Sequence, residues 1–209
     1  QAAAIIENVL LVQQARGRAQ RADALRRIAS LAGSSGTLTE ILKYSVQELG
    51  NLFQADAGAI FLLDEARGAL RLSRESSFGV SEETNNSFIQ TFVDDPNYRY
   101  TVSGSQKAFL SGRMSTDRRI LPAYRPLATA LKMESAIVVP LIIREHSVGE
   151  LMLGSKKVDY FTAYDLQIIS TAAGQLATAV ESTGLLNQTD DSLRRRVNQL
   201  SALTHISRE

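Results

Sequence analysis

Two histidines, no cysteine and a scatter of tyrosines and arginines are what this sequence offers to chemistry. A thiol nucleophile, a thiolate metal ligand and a disulfide all need cysteine, so its absence removes the three together. Nucleophilic catalysis would then need a serine held against a base, and no motif in the chain arranges one. No enzymatic activity is expected. His146 falls in a predicted hairpin turn, where its surroundings favour a solvated side chain over a haem or metal ligand, and no metal site is expected. Binding chemistry is better represented. Phe78, Tyr98, Arg99, Tyr100, Arg113, Tyr124 and Arg125 supply aromatic faces and cationic forks, types that hold a planar or anionic small molecule. The competing reading is that the aromatics fill a core and the arginines sit in water.

Composition narrows the setting for these residues. The chain has 209 residues, 44% of them hydrophobic, enough for one ordinary domain with long appendages or two small ones. Charge is nearly balanced, 23 Lys+Arg against 22 Asp+Glu, so no overall field draws the chain to nucleic acid or an anionic membrane. No apolar run approaches the roughly 18 to 20 residues that span a bilayer, and the first residues lack the layout of a signal peptide. A reducing, cytoplasmic setting is the expectation. Gln1 in place of Met suggests a fragment of a longer protein.

Periodicity supplies the elements that must position the candidates. Leu11, Ala15, Ala22, Leu25, Ala29 and Ala32 recur at steps of four and three, interrupted by Arg18, which predicts one long helix with a coiled-coil seam. Gly33 to Gly36 breaks it. Thr37 or Thr39 then caps a second helix over 38–53, with Leu38, Ile41, Leu42, Leu49 and Leu52 on its apolar face. Ala59 to Leu63 reads as a strand, and a turn over 64–68 leads to an alternating strand toward Phe78. The stretch 80–112 is mixed; helices are expected over 82–93 and 106–110, followed by a short edge strand over 114–120 and a helical turn within 122–132. The clearest pair of strands is 135–143 and 148–154, and Pro140 demands an edge or bulge because it has no N–H to donate. Thr162 and Asp165 form a capping box that opens a last long helix. Leu186, Leu193, Val197 and Leu200 continue it with a second seam, in which Asp190 is a polar interruption like Arg18.

The stretch SAIVVPLIIREHSVGELMLGSKKVDYFTAYDLQIISTAAGQLATAVES resembles the GAF domains, sensor and dimerisation modules of signalling proteins. The similarity lies in an order of pieces: an apolar strand ending in Pro-Leu, a turn, a strand reading Val-Gly-x-Leu, then Phe-Thr-x-x-Asp and a helix of alternating Ala, Gln and aliphatics. It covers about 37–183. It implies an α+β, PAS-related domain: a central antiparallel sheet with helices on both sides, flanked here by the long N- and C-terminal coiled-coil helices. It also implies a cavity between the sheet and the mid-domain helices, which makes the seven aromatic and arginine residues above pocket candidates. Members that reduce free methionine sulfoxide, and members that bind bilin covalently, use cysteine, so neither chemistry carries over. Members that bind cyclic nucleotides carry Asn-Lys and Phe-x-x-x-Asp-Glu. Here Lys156, Phe161 and Asp165 match while Ser155 and Leu166 do not, and the matching residues read as a core plug, a helix cap and a neighbour able to pair with it.

The chain also resembles itself. QAAAIIENVLLVQQ at the start and QLATAVESTGLLNQ from Gln175 agree at five of fourteen positions, Glu7 with Glu181 among them. Arg21, Leu25, Ile28 and Leu31 likewise line up with Arg196, Leu200, Leu203 and Ile206. Chance similarity between amphipathic helices would not require matched Glu, Gln and Arg, so the reading is one repeat unit from a tandem array. His205 resembles a sensor-kinase phospho-acceptor only until it is aligned; it falls opposite Ser30, in a helix entering a further module. The expected parts are a connecting helix over 1–33, a GAF-like domain over 37–183 and a second connecting helix over 184–209. Two functions stand. One is a regulatory sensor that binds a small molecule and transmits its state through the helices of a parallel homodimer to adjacent domains. The other is a ligand-free dimerisation spacer that relays signals between neighbours. The first needs an open cavity with convergent polar groups, the second a packed one.

Overall fold

A computed structural model describes residues 2–33, 36–81, 84, 90–119 and 124–183. The second connecting helix, with Leu186, Leu193, Val197, Leu200 and His205, lies outside the described residues.

Helix α1 (Ala2–Ala32) is continuous, as its lack of proline predicts. Helix α2 (Leu38–Phe53) starts at Thr37, whose hydroxyl accepts from the Glu40 amide while the Glu40 carboxylate accepts from the Thr37 amide. Ile41, Leu42, Ser45, Val46, Leu49, Gly50 and Phe53 form its buried face at helical spacing. Six antiparallel strands follow: β1 (Ala57–Asp64), β2 (Ala69–Phe78), β3 (Gln90–Phe92), β4 (Phe109–Ser111), β5 (Ser135–Ile143) and β6 (His146–Ser155), in the spatial order β3-β2-β1-β6-β5-β4. Between β3 and β4 lie a 3-10 turn (Tyr98–Tyr100) and the four-residue helix α3 (Val102–Ser105). Helix α4 (Arg125–Ala130) precedes β5, and helix α5 (163–183) follows β6. The Thr162 and Asp165 capping box forms as expected.

The sheet divides two apolar layers because alternate residues of its central strands are apolar on both faces. Ile137, Val139, Leu141, Leu151 and Leu153 meet α1, α2 and α5 through Ile28, Leu42, Leu49, Ile169 and Leu176. Ala136, Val138 and Met152 face the other way, with Phe61, Leu72, Met114, Tyr124, Leu127 and Met133. Pro140 is accommodated because β4 ends opposite Val138, which leaves β5 on the outer edge of the sheet beyond it.

Four local expectations are corrected. Gln90–Phe92 is a strand where a helix was expected to run to 93; the free edge of β2 captures it by pairing Ala69 with Phe92 and Arg71 with Gln90. The helix expected over 106–110 lies earlier, at Val102–Ser105, and Gln106 ends it as a left-handed cap with a φ of 55°. The edge strand expected over 114–120 is Phe109–Ser111, paired with β5. Lys156 does not pair with Asp165: its amide donates to Asp56 at 2.8 Å, and Asp165 instead meets Arg21 at 3.5 Å.

The expected seam of α1 meets its own domain in part. Leu25 of that seam packs against the helical layer, whereas Ala15 and Ala22 are exposed; Ala24 and Ile28, which are buried, lie off the expected seam. A heptad pattern marks which residues seek an apolar neighbour without saying which neighbour it is. Removing the fully buried Ile28 side chain should therefore undock α1. Ile28→Ala is expected to lower unfolding stability by about 3 kcal/mol in urea titration. A loss below about 1 kcal/mol would mean that α1 does not rest on this face in solution.

Candidate ligand site

On the sheet face away from α1, α2 and α5, the apolar pattern of β6 is broken by one carboxylate. Glu150 is 0% exposed and stands between Phe61 of β1 and Pro140 of β5. The Tyr124 hydroxyl donates to its Oε1 at 2.7 Å, and the Ser103 amide donates to its Oε2 at 2.9 Å. The Val102 amide donates in turn to the Tyr124 hydroxyl at 2.8 Å. One buried carboxylate thus holds both covering elements, α3 by the Ser103 amide and α4 through Tyr124, the residue that precedes it. Among the described residues Glu150 forms no ion pair. Burial pushes its carboxyl up to about 6, against the Tyr124 and Ser103 hydrogen bonds that favour the ionised form. The Ser103 hydroxyl makes no hydrogen bond of its own, although it lies near enough to favour that ionised form as well. Burial, and then the Glu150 charge, hold the Tyr124 hydroxyl well above the ordinary tyrosine range and raise Tyr98 in the same way.

A groove of about 500 Å³ opens beside this network, lined by Met114, Ser115, Arg125, Ala128, Thr129, Lys132, Met133 and Glu134. Met114, Ala128 and Met133 belong to the same apolar layer as Tyr124 and Met152, so the floor of the groove is continuous with that core. Arg125 and Lys132 stand exposed and, among the described residues, form no ion pair. Glu134 is engaged by the Ser115 hydroxyl at 3.1 Å. An apolar floor of flexible methionines under two unpaired cations suits a small amphiphilic anion. A second cavity of about 520 Å³, lined by Gln20, Asp23, Arg27, Glu48, Asn51, Leu52 and Gln54, differs in kind: Arg27 already pairs with both Asp23 and Glu48.

The seven candidates read from the sequence scatter. Tyr98, Tyr124 and Arg125 share the face described above. Phe78 lies on the opposite face as a wedge between α2 and β1: a Cβ on Gly50 would come within 2.3 Å of its ring, and so would one on Gly58. Arg99 and Tyr100 stack on each other at the surface, the guanidinium 4.6 Å from the ring centroid. Arg113 pairs with Asp159 at 3.6 Å. Sequence reasoning missed Glu150, Ser103, Met114, Met133 and Lys132. Glu150 was findable, because VGELMLG sets one charged residue inside an otherwise apolar and glycine run. Among the described residues no three His, Asp or Glu side chains converge as a metal site requires, and no helix is long and apolar enough to cross a membrane.

Comparison with known proteins agrees with this architecture. The GAF domain family matches residues 37–182. The GAF domain of a phosphoenolpyruvate-protein phosphotransferase from Coxiella burnetii superposes with a TM-score of 0.66 at 18% identity, over 81% of this chain and 97% of that one. The phycoerythrobilin-bound GAF domain of a cyanobacterial phytochrome gives 0.63 at 18% identity, over 81% and 99%. Free methionine-R-sulfoxide reductase from Neisseria meningitidis, in complex with its substrate, gives 0.63 at 17% identity, over 79% and 91%. At these identities the likeness is one of fold. No curated protein matches the sequence. GAF domains occur in sensor and signalling proteins, phytochromes and sensor histidine kinases among them. With the sheet order, the two apolar layers and a family match over 37–182, this chain belongs to the GAF domain family.

Proposed function

We propose that this domain is a non-catalytic regulatory sensor in a signalling protein, binding a small amphiphilic anion in the groove beside α4. The groove carries the reading, since it joins an apolar floor to the convergent Arg125, Lys132, Thr129 and Ser115 groups that a ligand needs for orientation. The absence of cysteine supports a binding role over a redox one. The bound state passes to adjacent domains of a longer, cytoplasmic chain through the helices α1 and α5. Two copies pair in parallel through the exposed side of α1, where Val12, Ala15 and Ala22 remain open. The repeat of QAAAIIENVLLVQQ in QLATAVESTGLLNQ supports a tandem array, with 1–33 and 184–209 as connecting helices around the domain at 37–183.

A second reading, a ligand-free dimerisation spacer, is favoured by one observation: Phe61, Leu72, Met152 and Tyr124 close the sheet face beside the groove and leave Glu150 fully covered. Native mass spectrometry of protein purified from its own host separates the two. The sensor predicts a dimer mass carrying a stoichiometric small anion that is lost in Arg125→Gln with Lys132→Gln. Bare dimers, with no thermal shift from a panel of anionic metabolites, would sink the sensor and leave the spacer; a monomer mass would sink the paired helices of both.

A further inference from the structure

The turn joining β5 to β6 is strained, and it is held from outside. Arg144 and Glu145 have φ of 45° and 70°, a left-handed pair that two-residue hairpins require and that Asn and Gly normally supply. Neither residue adopts it at no cost. Two contacts clamp the turn: the Gln106 side-chain amide donates to the Glu145 carbonyl at 2.8 Å, and the Arg144 guanidinium pairs with Glu181 of α5 at 3.2 Å. Gln106 is the left-handed cap of α3, with a φ of 55°. At the other end of α3, Val102 and Ser103 hold the Tyr124 hydroxyl and the Glu150 carboxylate. Val102 and Ser103 precede Gln106 by four and three residues, so the two attachments lie about one helical turn apart. Tyr124 is also the residue before α4, whose Arg125, Ala128 and Thr129 line the groove.

We propose that α3 is a rigid link between the groove and the exit helix: a shift of α4 moves Tyr124, Tyr124 moves α3, and Gln106 passes the motion through the strained turn to Arg144, Glu181 and α5. The input rests on the sensor reading above, but the link is a property of the domain without ligand. A single exposed ion pair is weak, so Arg144 and Glu181 bias the position of α5 without locking it, which a reversible output needs. The self-similarity of the chain points the same way. Glu7 occupies the place of Glu181 in the copy at the start of the chain, although Ala4, Ile5 and Ile6 just before it stand where the other copy has Thr178, Ala179 and Val180.

A thermodynamic cycle read by amide hydrogen exchange at 178–183 tests the link, because coupled sites depart from additivity and spatial proximity alone does not establish coupling. Tyr124→Phe is expected to speed exchange there about fivefold, and in a Gln106→Ala background to add less than about twofold. Gln106 is exposed, so its replacement leaves the core intact. Should Tyr124→Phe not fold, Glu150→Gln perturbs the same attachment and takes its place. Exchange at 178–183 that does not respond, or that responds by the same factor in both backgrounds, overturns the link. No ligand enters this experiment, so a failed link leaves the sensor standing, and a protein found without ligand leaves the link standing.

Discussion

Stability of the domain should fall by about 2 kcal/mol as pH rises from 4.5 to 7, and Glu150→Gln should abolish that slope. The folded-state carboxyl is raised to about 6, above its ordinary value, because burial penalises the charge. A group raised in this sense contributes stability that is fully present below the unfolded value and lost as pH climbs through the folded one, so the window runs from about 4.5 to about 7. The size follows from the difference between 4.5 and about 6 at roughly 1.4 kcal/mol for each pH unit, undiminished by screening because the side chain is fully covered. Asp117 works in the opposite direction. Its hydrogen bond to Arg119 holds it below the usual carboxylate range, so its contribution is present above about 3.8 and disappears only as pH falls further. Urea titrations at several pH values isolate Glu150 within the window. If Glu150→Gln keeps the wild-type slope, the carboxylate is not the buried group described here. Tyr124→Phe sharpens the expectation: it leaves Glu150 one donor short and the Val102 amide unpaired, at a cost of about 2 to 3 kcal/mol at neutral pH.

Gly149→Ala should be the most damaging methyl addition in the sheet, while Gly154→Ala, five residues along the same strand, should be mild. A Cβ on Gly149 would lie 2.2 Å from the Phe61 carbonyl oxygen, which is backbone of the neighbouring strand, where Gly149 pairs with Leu62. That oxygen cannot retreat without opening the junction of β1 and β6 at the centre of the sheet. A loss of about 3 kcal/mol is expected, at the upper end of overpacking costs. A Cβ on Gly154 would meet the Met133 sulfur at 2.0 Å, and a thioether side chain can swing aside. Its expected cost is below about 1.5 kcal/mol, with Met133 displaced from the floor of the groove. Thermal unfolding of the two variants side by side checks the contrast. Equal losses would mean that the junction of β1 and β6 is looser than this register implies.

What the sequence determined by itself was whatever depends on local pattern. Thr37 and Thr162 announce their helices because a capping box needs only four consecutive residues. Ser135–Ile143 and the following strand are legible because apolar runs punctuated by a turn need no distant partner to be recognised. The order of those pieces was enough for the family. Tertiary structure alone decided the rest. The three residues of β3 and of β4 carry too little pattern to declare themselves, and they are strands only because β2 and β5 present free edges to them. Phe78 and Tyr124 are both aromatic, yet strand register sends one under α2, while the seating of α4 over the sheet brings the other to Glu150. Ala24 and Ile28 face the domain and Ala22 faces water because α1 settles against α2 and α5, a choice that heptad spacing leaves open. Glu150 was visible as a charge in an apolar strand, but its role exists only where β6 passes beneath α3 and α4. The donors that hold it are 47 and 26 residues distant in the chain, and no local pattern records a contact of that separation.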